Sequence, residues 1–480
     1  MQVETLTRRT KAPIATILAG SQAWKPWQLI GFRIAFIFYV LLIIPVDGEW
    51  YSSVVSSKII FDFFNTMMRI GGSTFVRINT ESGKWGIASY ANWAAVFLIA
   101  LTGAALWTIL VRKGPAKEYT RLNYLLCVLI RYRIAVGILV FGFMKFYPVQ
   151  MPYPGLGSLE TNFGDFSGYK LYWHSIGLVP WYEVFLGCVE ILAGTLLFFR
   201  PTVFFGAVLN FAVLYNIAHA NHAYDGGVHV YSAVTVLFSS YLIAQYIPDL
   251  WKLLIKEEEV VPRRYVPLFT QHWQRVLKTL LKVVTVLSLT VWYGYLRYEL
   301  HYITKETKAP STPGLAHAQG YYHVTTFRVN GTELPYNPLD SVRWQEVIFE
   351  KYSTLVYKVN KTKRIPLDNG SRQENDIDRE YELSGIGGGR TFLYYDADTL
   401  HQKLSLYDKG VLNTRIRKDR EKNRGLDTKK GRLPDLLLHY ERPSDQQIIL
   451  SGLSGKDSLY VVLDRVEKQY PIHIVRTNSK

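Results

Sequence analysis

The pattern of the chain changes near residue 300. Before it, long apolar runs alternate with short polar, basic or Pro- and Gly-containing connections; after it, apolar runs are short and turn signals separate them. Seven runs, near residues 28–47, 89–111, 125–147, 180–199, 202–223, 229–248 and 276–298, are long enough to cross a bilayer. At about 1.5 Å per helical residue each covers about 30 Å of hydrocarbon. Arg131 and Arg133 interrupt the third run, so residues 119–130 are expected to lie along the interface as an amphipathic entry helix. Residues 56–69 are too short and polar a stretch to span and are expected on the outer surface. Residues 148–169, rich in Pro and Gly, do not form a span; any part that dips into the bilayer needs protein cover.

The second half reads as β-structure. Short runs of β-favouring residues at 321–329, 355–359, 391–395, 403–406, 436–440, 447–450 and 458–463 are separated by signals such as Asn330-Gly331 and Lys409-Gly410. They predict a small antiparallel sheet or barrel. The fold class is therefore an α-helical polytopic membrane protein with a C-terminal antiparallel β-rich soluble domain. Its expected order is a tail at 1–27, a first membrane region at 28–118, a four-helix core at 119–265, a last helix at 266–302, a linker at 303–320 and the β-rich domain at 321–480. The basic run at 415–432 has no apolar periodicity and reads as a solvated loop. Gly385-Ile386-Gly387-Gly388-Gly389 lacks the strand–helix setting and following lysine of a phosphate loop, and reads as a turn.

Charge orients this scheme. Lys and Arg outnumber Asp and Glu by 55 to 39, a net charge of +16. Arg8, Arg9, Lys11 and Lys25 precede the first run; Arg112, Lys113, Lys117 and Arg121 follow the second. Arg200 separates the fourth from the fifth, and Lys252, Lys256, Arg263, Arg264, Arg275 and Lys278 lie between the sixth and seventh. All are cytoplasmic if the N-terminus is inside. The opposite loops then hold Asp47, Glu49, Glu160, Asp165 and Asp225, and an odd number of spans puts the β-rich domain outside, in a bacterium the periplasm. Trp24, Trp27, Trp50, Trp181 and Trp251 stand near run ends, as interfacial aromatics do. The basic excess suits cytoplasmic flanks and anionic lipid of the bilayer. It is not read as a nucleic-acid footprint, because no recognition helix or stacking module accompanies it. Residues 1–27 are too polar for a cleaved signal. Cys127 and Cys188 lack CxxC neighbours and read as small core residues.

Two charges inside apolar runs carry the candidate chemistry. Lys145 ends the third run in Gly142-Phe143-Met144-Lys145, and Glu190 lies within the fourth. A charge at membrane depth costs a few kcal/mol or more and persists when it meets a partner, a protein interior or a wet cavity. Glu183 and Glu190, seven apart, lie near one helical face. Asn216, His219 and His222 step by three along the fifth run and share another. Asp225 and His229 follow, and Asp165, Lys170 and His174 belong to the outer loop. The plain alternatives are that Lys145 snorkels to the headgroups, that Glu190 makes a structural pair with Lys145 or Arg133, and that the histidines bond loop carbonyls. Two histidines fall short of the three or four converging ligands of a metal site, so no metal is expected. A quinone would use a similar set, a histidine or carboxylate for protons with apolar and aromatic walls.

The stretches Arg131-Tyr132-Arg133…Phe141-Gly142-Phe143-Met144-Lys145, Ile176-Gly177-Leu178-Val179-Pro180…Gly187…Glu190…Gly194 and Tyr224-Asp225-Gly226-Gly227-Val228-His229-Val230-Tyr231-Ser232 resemble the DoxX-like family, above all its long bacterial members with an extra exterior domain. The resemblance covers about residues 120–265. It extends more loosely through Val342-Arg343-Trp344…Val347-Ile348-Phe349-Glu350 and Asp457-Ser458-Leu459-Tyr460-Val461-Val462-Leu463. It implies a four-helix core and, because the family's namesake is a subunit associated with thiosulfate:quinone oxidation, a redox- or quinone-linked role in the inner membrane. His219, His222 and His229 match no signature of the family. More distantly, Gly142-x-x-Lys145 is similar to a membrane-helix motif of vitamin K-dependent carboxylases and their horizontally transferred bacterial relatives. By that match Lys145 is a candidate base toward a hydroquinone, its pKa lowered by burial. The rest of that site is not recognisable, so carboxylation is not expected.

The leading expectation is a quinone-linked membrane protein using Lys145 and Glu190 as proton-exchanging groups, with Glu183, Asn216, His219 and His222 about the cofactor. The alternative is a non-enzymatic accessory or assembly subunit of a membrane complex, whose exterior domain binds a partner. Transport is disfavoured, because no inverted repeat or paired broken helices are visible.

Overall fold

The computed structural model describes residues 24–46, 48–56, 63, 64, 66, 67, 72–76, 78, 87–112, 118–261, 265–267, 269–367, 373–410 and 433–472. Most of the expected surface helix at 56–69, the basic run at 415–432, and Arg8, Arg9, Lys11, Asp47, Lys113, Lys117, Arg263 and Arg264 lie outside them. Among the described residues six helices are long and apolar enough to cross a membrane, and a seventh span exists if one bent pair is counted. The chain falls into two units. One holds residues 1–134 and 234–279; the other holds 135–233 and 280–480.

In the first unit α1 (Pro26–Ile43) packs on α2 (Ala91–Val111). Their outward faces carry large exposed apolar side chains such as Leu106, Ile109 and Leu110, which only a lipid solvent makes favourable over such lengths. Inside, Arg33 is buried and meets hydroxyls: its Nη1 donates to Thr108 Oγ1 at 2.6 Å and its Nε to Tyr119 OH at 3.1 Å. Asn123 joins Gln245 and Tyr241 at 2.9 and 2.7 Å. α3 runs unbroken over Thr120–Phe146, 27 residues or about 40 Å. This corrects the expected interfacial entry helix. Tyr119, Leu126 and Ile130 are buried, so the first turns pack in protein rather than lie on the bilayer surface. The expected span at 229–248 contains a bend: α7 (His229–Ala244) and α8 (Ile247–Leu254), together apolar enough to cross, meet at 57°. Pro248 lies in the first turn of the second helix, where a missing N–H is harmless, and cannot continue the first. These labels leave α4 (Gly168–Gly177), α5 (Pro180–Leu197) and α6 (Val203–Ala223) between, and α9 (His272–Leu287) after. Beyond α9 the helix continues to Ile303 through two π-helical turns, at Ser288–Trp292 and Glu299–Ile303.

The second unit contains the β-domain. Nine strands, β1 (Gly320–Val329), β2 (Thr332–Glu333), β3 (Glu346–Phe349), β4 (Thr354–Lys358), β5 (Arg390–Asp398), β6 (Lys403–Asp408), β7 (Leu436–Ser444), β8 (Gln447–Ser454) and β9 (Asp457–Val466), pair antiparallel in the order β2-β1-β3-β4-β5-β6-β7-β8-β9. A further β1–β9 pairing closes eight of them into a barrel, with β2 a short addition to β1. A bulge between Val324 and Thr326 shifts the inward positions of β1 from Tyr322 and Val324 to Phe327. The barrel is filled by Val347, Phe349, Leu355, Leu393, Tyr395, Leu404, Leu438, Leu450, Val461, Leu463 and their neighbours. One outer wall is apolar too. Ile348, Val356 and Phe392 face outward and are covered by Leu383 and Ile386 and by Leu156 and Phe166 of the irregular segment before α4. That double burial explains why β3 has no polar–apolar alternation and was not among the expected strands. Residues 303–320, expected as a linker, pack closely: Lys308, Pro310, Leu315 and Ala318 are buried, and Pro313 bridges to Tyr352.

Candidate functional site

Glycine positions the two intramembrane charges. A Cβ on Gly187 of α5 would stand 2.5 Å from the Phe146 amide nitrogen and 2.7 Å from the Gly142 carbonyl oxygen of α3. One on Gly142 would meet Ile191 and Glu190 at 2.9–3.2 Å. The backbones can approach so closely only because both positions lack a side chain, the usual route to helix contact in membranes. Lys145 and Glu190 each lie three residues beyond one of these glycines. Lys145 Nζ donates to both Glu190 carboxylate oxygens, at 2.7 and 2.8 Å, and the two side chains are 6 % and 2 % exposed. The Phe141 ring lies 5.8 Å from the ammonium. The lysine therefore does not snorkel, and Glu190 is paired with Lys145. Near them Tyr172 of α4 stacks on Tyr224 at 5.1 Å; burial, then Tyr182, Glu190 and Tyr224, holds its hydroxyl above the usual tyrosine range.

The other expected groups are placed differently. Glu183 is buried and accepts the Met151 amide at 3.0 Å. Asn216 and His219 stand exposed on α6, and His219 Nδ1 is 2.8 Å from the Tyr215 carbonyl of its own helix. Among the described residues no contact joins either to Lys145 or Glu190. His222 is half-buried with its ring 4.6 Å from that of buried His229. Cys188, expected in the core, is exposed on α5.

A second polar cluster joins Lys170 and His174, expected in the outer loop, to Trp173 and Lys308, which were not singled out from sequence. Lys170 of α4 is fully buried; its Nζ donates to the Tyr381 carbonyl and lies 3.9 Å from the Tyr381 ring centre. Lys308 is buried 4.9 Å above the Trp173 ring and 5.9 Å from Tyr381. Burial lowers each lysine to about 7, opposed by Glu382 for Lys170 and by Glu183 for Lys308. Burial, with Lys170 after it, holds His174 neutral, at about 3. The clue in the sequence was Lys170, Trp173 and His174 at i, i+3 and i+4, which share one face of α4.

The barrel holds the segment above this cluster. Glu350, 3 % exposed, accepts the Leu156 and Gly157 amides at 3.0 and 2.7 Å, and burial pushes its carboxyl up to about 7. Gly155 fits there because a Cβ would meet the Tyr352 hydroxyl and Glu350 at 2.5 and 2.7 Å. Arg390 donates to the Glu160 carbonyl and pairs with Glu346 at 2.6 Å, while Lys468 and Tyr470 hold the Glu160 carboxylate at 2.6 and 2.5 Å.

These features define a multi-pass membrane protein with a C-terminal eight-stranded antiparallel β-barrel domain. The chain is similar to the uncharacterised protein YwoB of Bacillus subtilis (strain 168), 29% identical over 113 residues, which are 24% of this chain and 71% of that protein. No protein-family model matches the chain, and no solved structure matches it at a significant level.

Proposed function

We propose that the protein is a DoxX-like inner-membrane protein, N-terminus in the cytoplasm and barrel in the periplasm, that serves a quinone-class molecule at the outer-leaflet end of its helices. The observation that supports this reading is the Lys145–Glu190 pair, a buried proton donor and acceptor in direct contact at the end of a spanning helix. The residues fit such a ring in kind: a base and an acid, with Phe141, Tyr172 and Tyr224 as aromatic surface nearby. The quinone would supply two-electron chemistry. Lys145 and Glu190 would hold and exchange the accompanying proton, with Glu183 one more carboxyl two turns along α5. Asn216 and His219 have no part in this reading, since they face away on α6.

A short-chain quinone analogue should raise the melting midpoint of the detergent-purified protein, because a ligand that binds only the folded state stabilises it. The shift should shrink in Lys145→Met. If no quinone tested moves the midpoint while a stable complex co-purifies, the accessory-subunit reading is the better one. The filled barrel interior favours that second reading, since it leaves the outer surface for any binding by this domain.

Orientation has its own test. With the basic flanks inside, a reporter active only in the periplasm should work when fused to the C-terminus of the full chain and be inactive when fused after Lys256. The reverse pattern would discard the periplasmic assignment.

A further inference from the structure

We propose that α8 is an interfacial anchor: a helix that lies on the bilayer surface beyond the end of α7 and buries the face formed by Ile247, Leu250, Trp251 and Leu254 among lipid headgroups and upper acyl chains. The proposal uses none of the residues of the quinone reading and holds whichever side of the membrane faces the cytoplasm, so the two fail separately.

Three observations carry it. The first is level. Near the end of α7, Tyr241 donates to Asn123 at 2.7 Å and Asn123 donates to Gln245 at 2.9 Å. Asn123 lies in the first turn of α3, which is one of the spans. The chain is at the same place again after α8, where the Tyr265 ring meets that of Tyr124 at 5.7 Å. So α7 has already reached the end of a span when α8 begins, and the chain is still at that end when α8 is over. α8 has no crossing to complete. The second is direction. α8 departs from α7 by 57°, with Pro248 in its first turn. The bend swings α8 from the line of the crossing toward the plane of the surface, and stops short of the reversal that a re-entrant segment needs.

The third is the face left uncovered. Ile247, Leu250, Trp251 and Leu254 follow the i, i+3, i+4, i+7 spacing of one helical side. Asp249 and Lys252 fall on the other, with Lys256 in the turn that follows. None of the eight residues of α8 is buried, and Ile247, Trp251 and Leu254 are 53, 56 and 68 % exposed. A bilayer surface is the occupant that fits, because this apolar side begins two residues after a helix that stands in lipid. Amphipathic helices bury such a side by about 5–10 Å at the boundary of headgroups and acyl chains. A tryptophan among the apolar residues suits that depth. Charge plays little part: Lys252 and Lys256 are outnumbered by Asp249, Glu257, Glu258 and Glu259, so a neutral lipid serves as well as an anionic one.

Trp251 reports on its own surroundings. The full-length protein and Trp251→Phe, each reconstituted in phosphatidylcholine vesicles, differ in emission by the contribution of that ring. Bromine on the acyl chains close to the headgroups should quench this difference at least about twofold more strongly than bromine near the chain ends, because the anchor is shallow. A difference that neither lipid quenches would mean that water or another protein surface, a second copy included, covers the face. Stronger quenching by the deep bromine would mean that α8 enters the hydrocarbon as part of a broken span. Either result overturns the proposal. A second measurement compares the two faces by reaction. In a protein with Cys127→Ala and Cys188→Ala that keeps the parent melting midpoint, a water-soluble maleimide should modify Lys252→Cys at least about tenfold faster than Leu254→Cys, since only the second is shielded by lipid. Equal rates would put both faces in water and would also overturn it; the fluorescence comparison needs no change of cysteine.

Discussion

Lys145→Met should lower the stability of the detergent-solubilised protein by about 3–5 kcal/mol, and Glu190→Gln by a similar amount, because each leaves the other charge buried without its partner. The Nζ of Lys145 bonds both carboxylate oxygens, and neither side chain is more than 6 % exposed, so water cannot replace the missing group. In the double variant no charge remains to be stranded. Its loss should be smaller than the sum of the two single losses by at least about 1 kcal/mol, the coupling expected of residues in contact. Thermal or denaturant unfolding of the four proteins measures the cycle. Strict additivity would mean that the two groups do not share their free energy, and would leave the shape of the Gly142–Gly187 contact as the reason these helices meet.

The parts of this fold that could be read from sequence are those with a demanding solvent. Hydrocarbon requires long apolar runs with satisfied backbones, so the spans stand out, and so do two charges inside them. Lys145 and Glu190 were visible because a charge in an apolar run is rare. Lys170 read only as one charge of the outer loop and Lys308 was passed over, because a lysine in a polar stretch is ordinary. What buries them is tertiary: Lys170 meets Tyr381, 211 positions away, and Lys308 meets Gln150, 158 positions away. The same cause accounts for the errors of detail. An isolated helix bearing Arg131 and Arg133 would prefer the interface, but packing buries Leu126 and Ile130 and keeps α3 straight through. Strand β3 showed no alternation because segment 155–167 covers its outer face. His219 and Asn216 do share a helical face, as their spacing required, but spacing cannot say whether that face looks in or out; here it looks out.

Between pH 7 and 9, with chloride as the anion, the protein should become more stable as the pH rises. Lys170 and Lys308 are held near 7 in the fold, about three units below the usual lysine value. Below pH 7 the folded and unfolded chains carry both protons, and the burial penalty is constant. Above it the folded chain releases them while the unfolded chain keeps them up to about pH 10. The unfolded state then binds more protons, so stability grows with pH, by up to about 1.4 kcal/mol per pH unit for each lysine. Glu350 acts in the opposite sense and in another window. Its carboxyl is held up at about 7, so its contribution is full below the unfolded carboxylate range, falls as pH rises toward 7, and has gone by about pH 8. The rise from 7 to 9 therefore reports the lysines. Melting midpoints at pH 7, 8 and 9 at constant ionic strength should increase, and Lys170→Met or Lys308→Met should each remove about half of the slope. A midpoint that stays level or falls from pH 7 to 9 would mean that acidic neighbours such as Glu382 and Glu183 hold both lysine protons in place against the burial that lowers them.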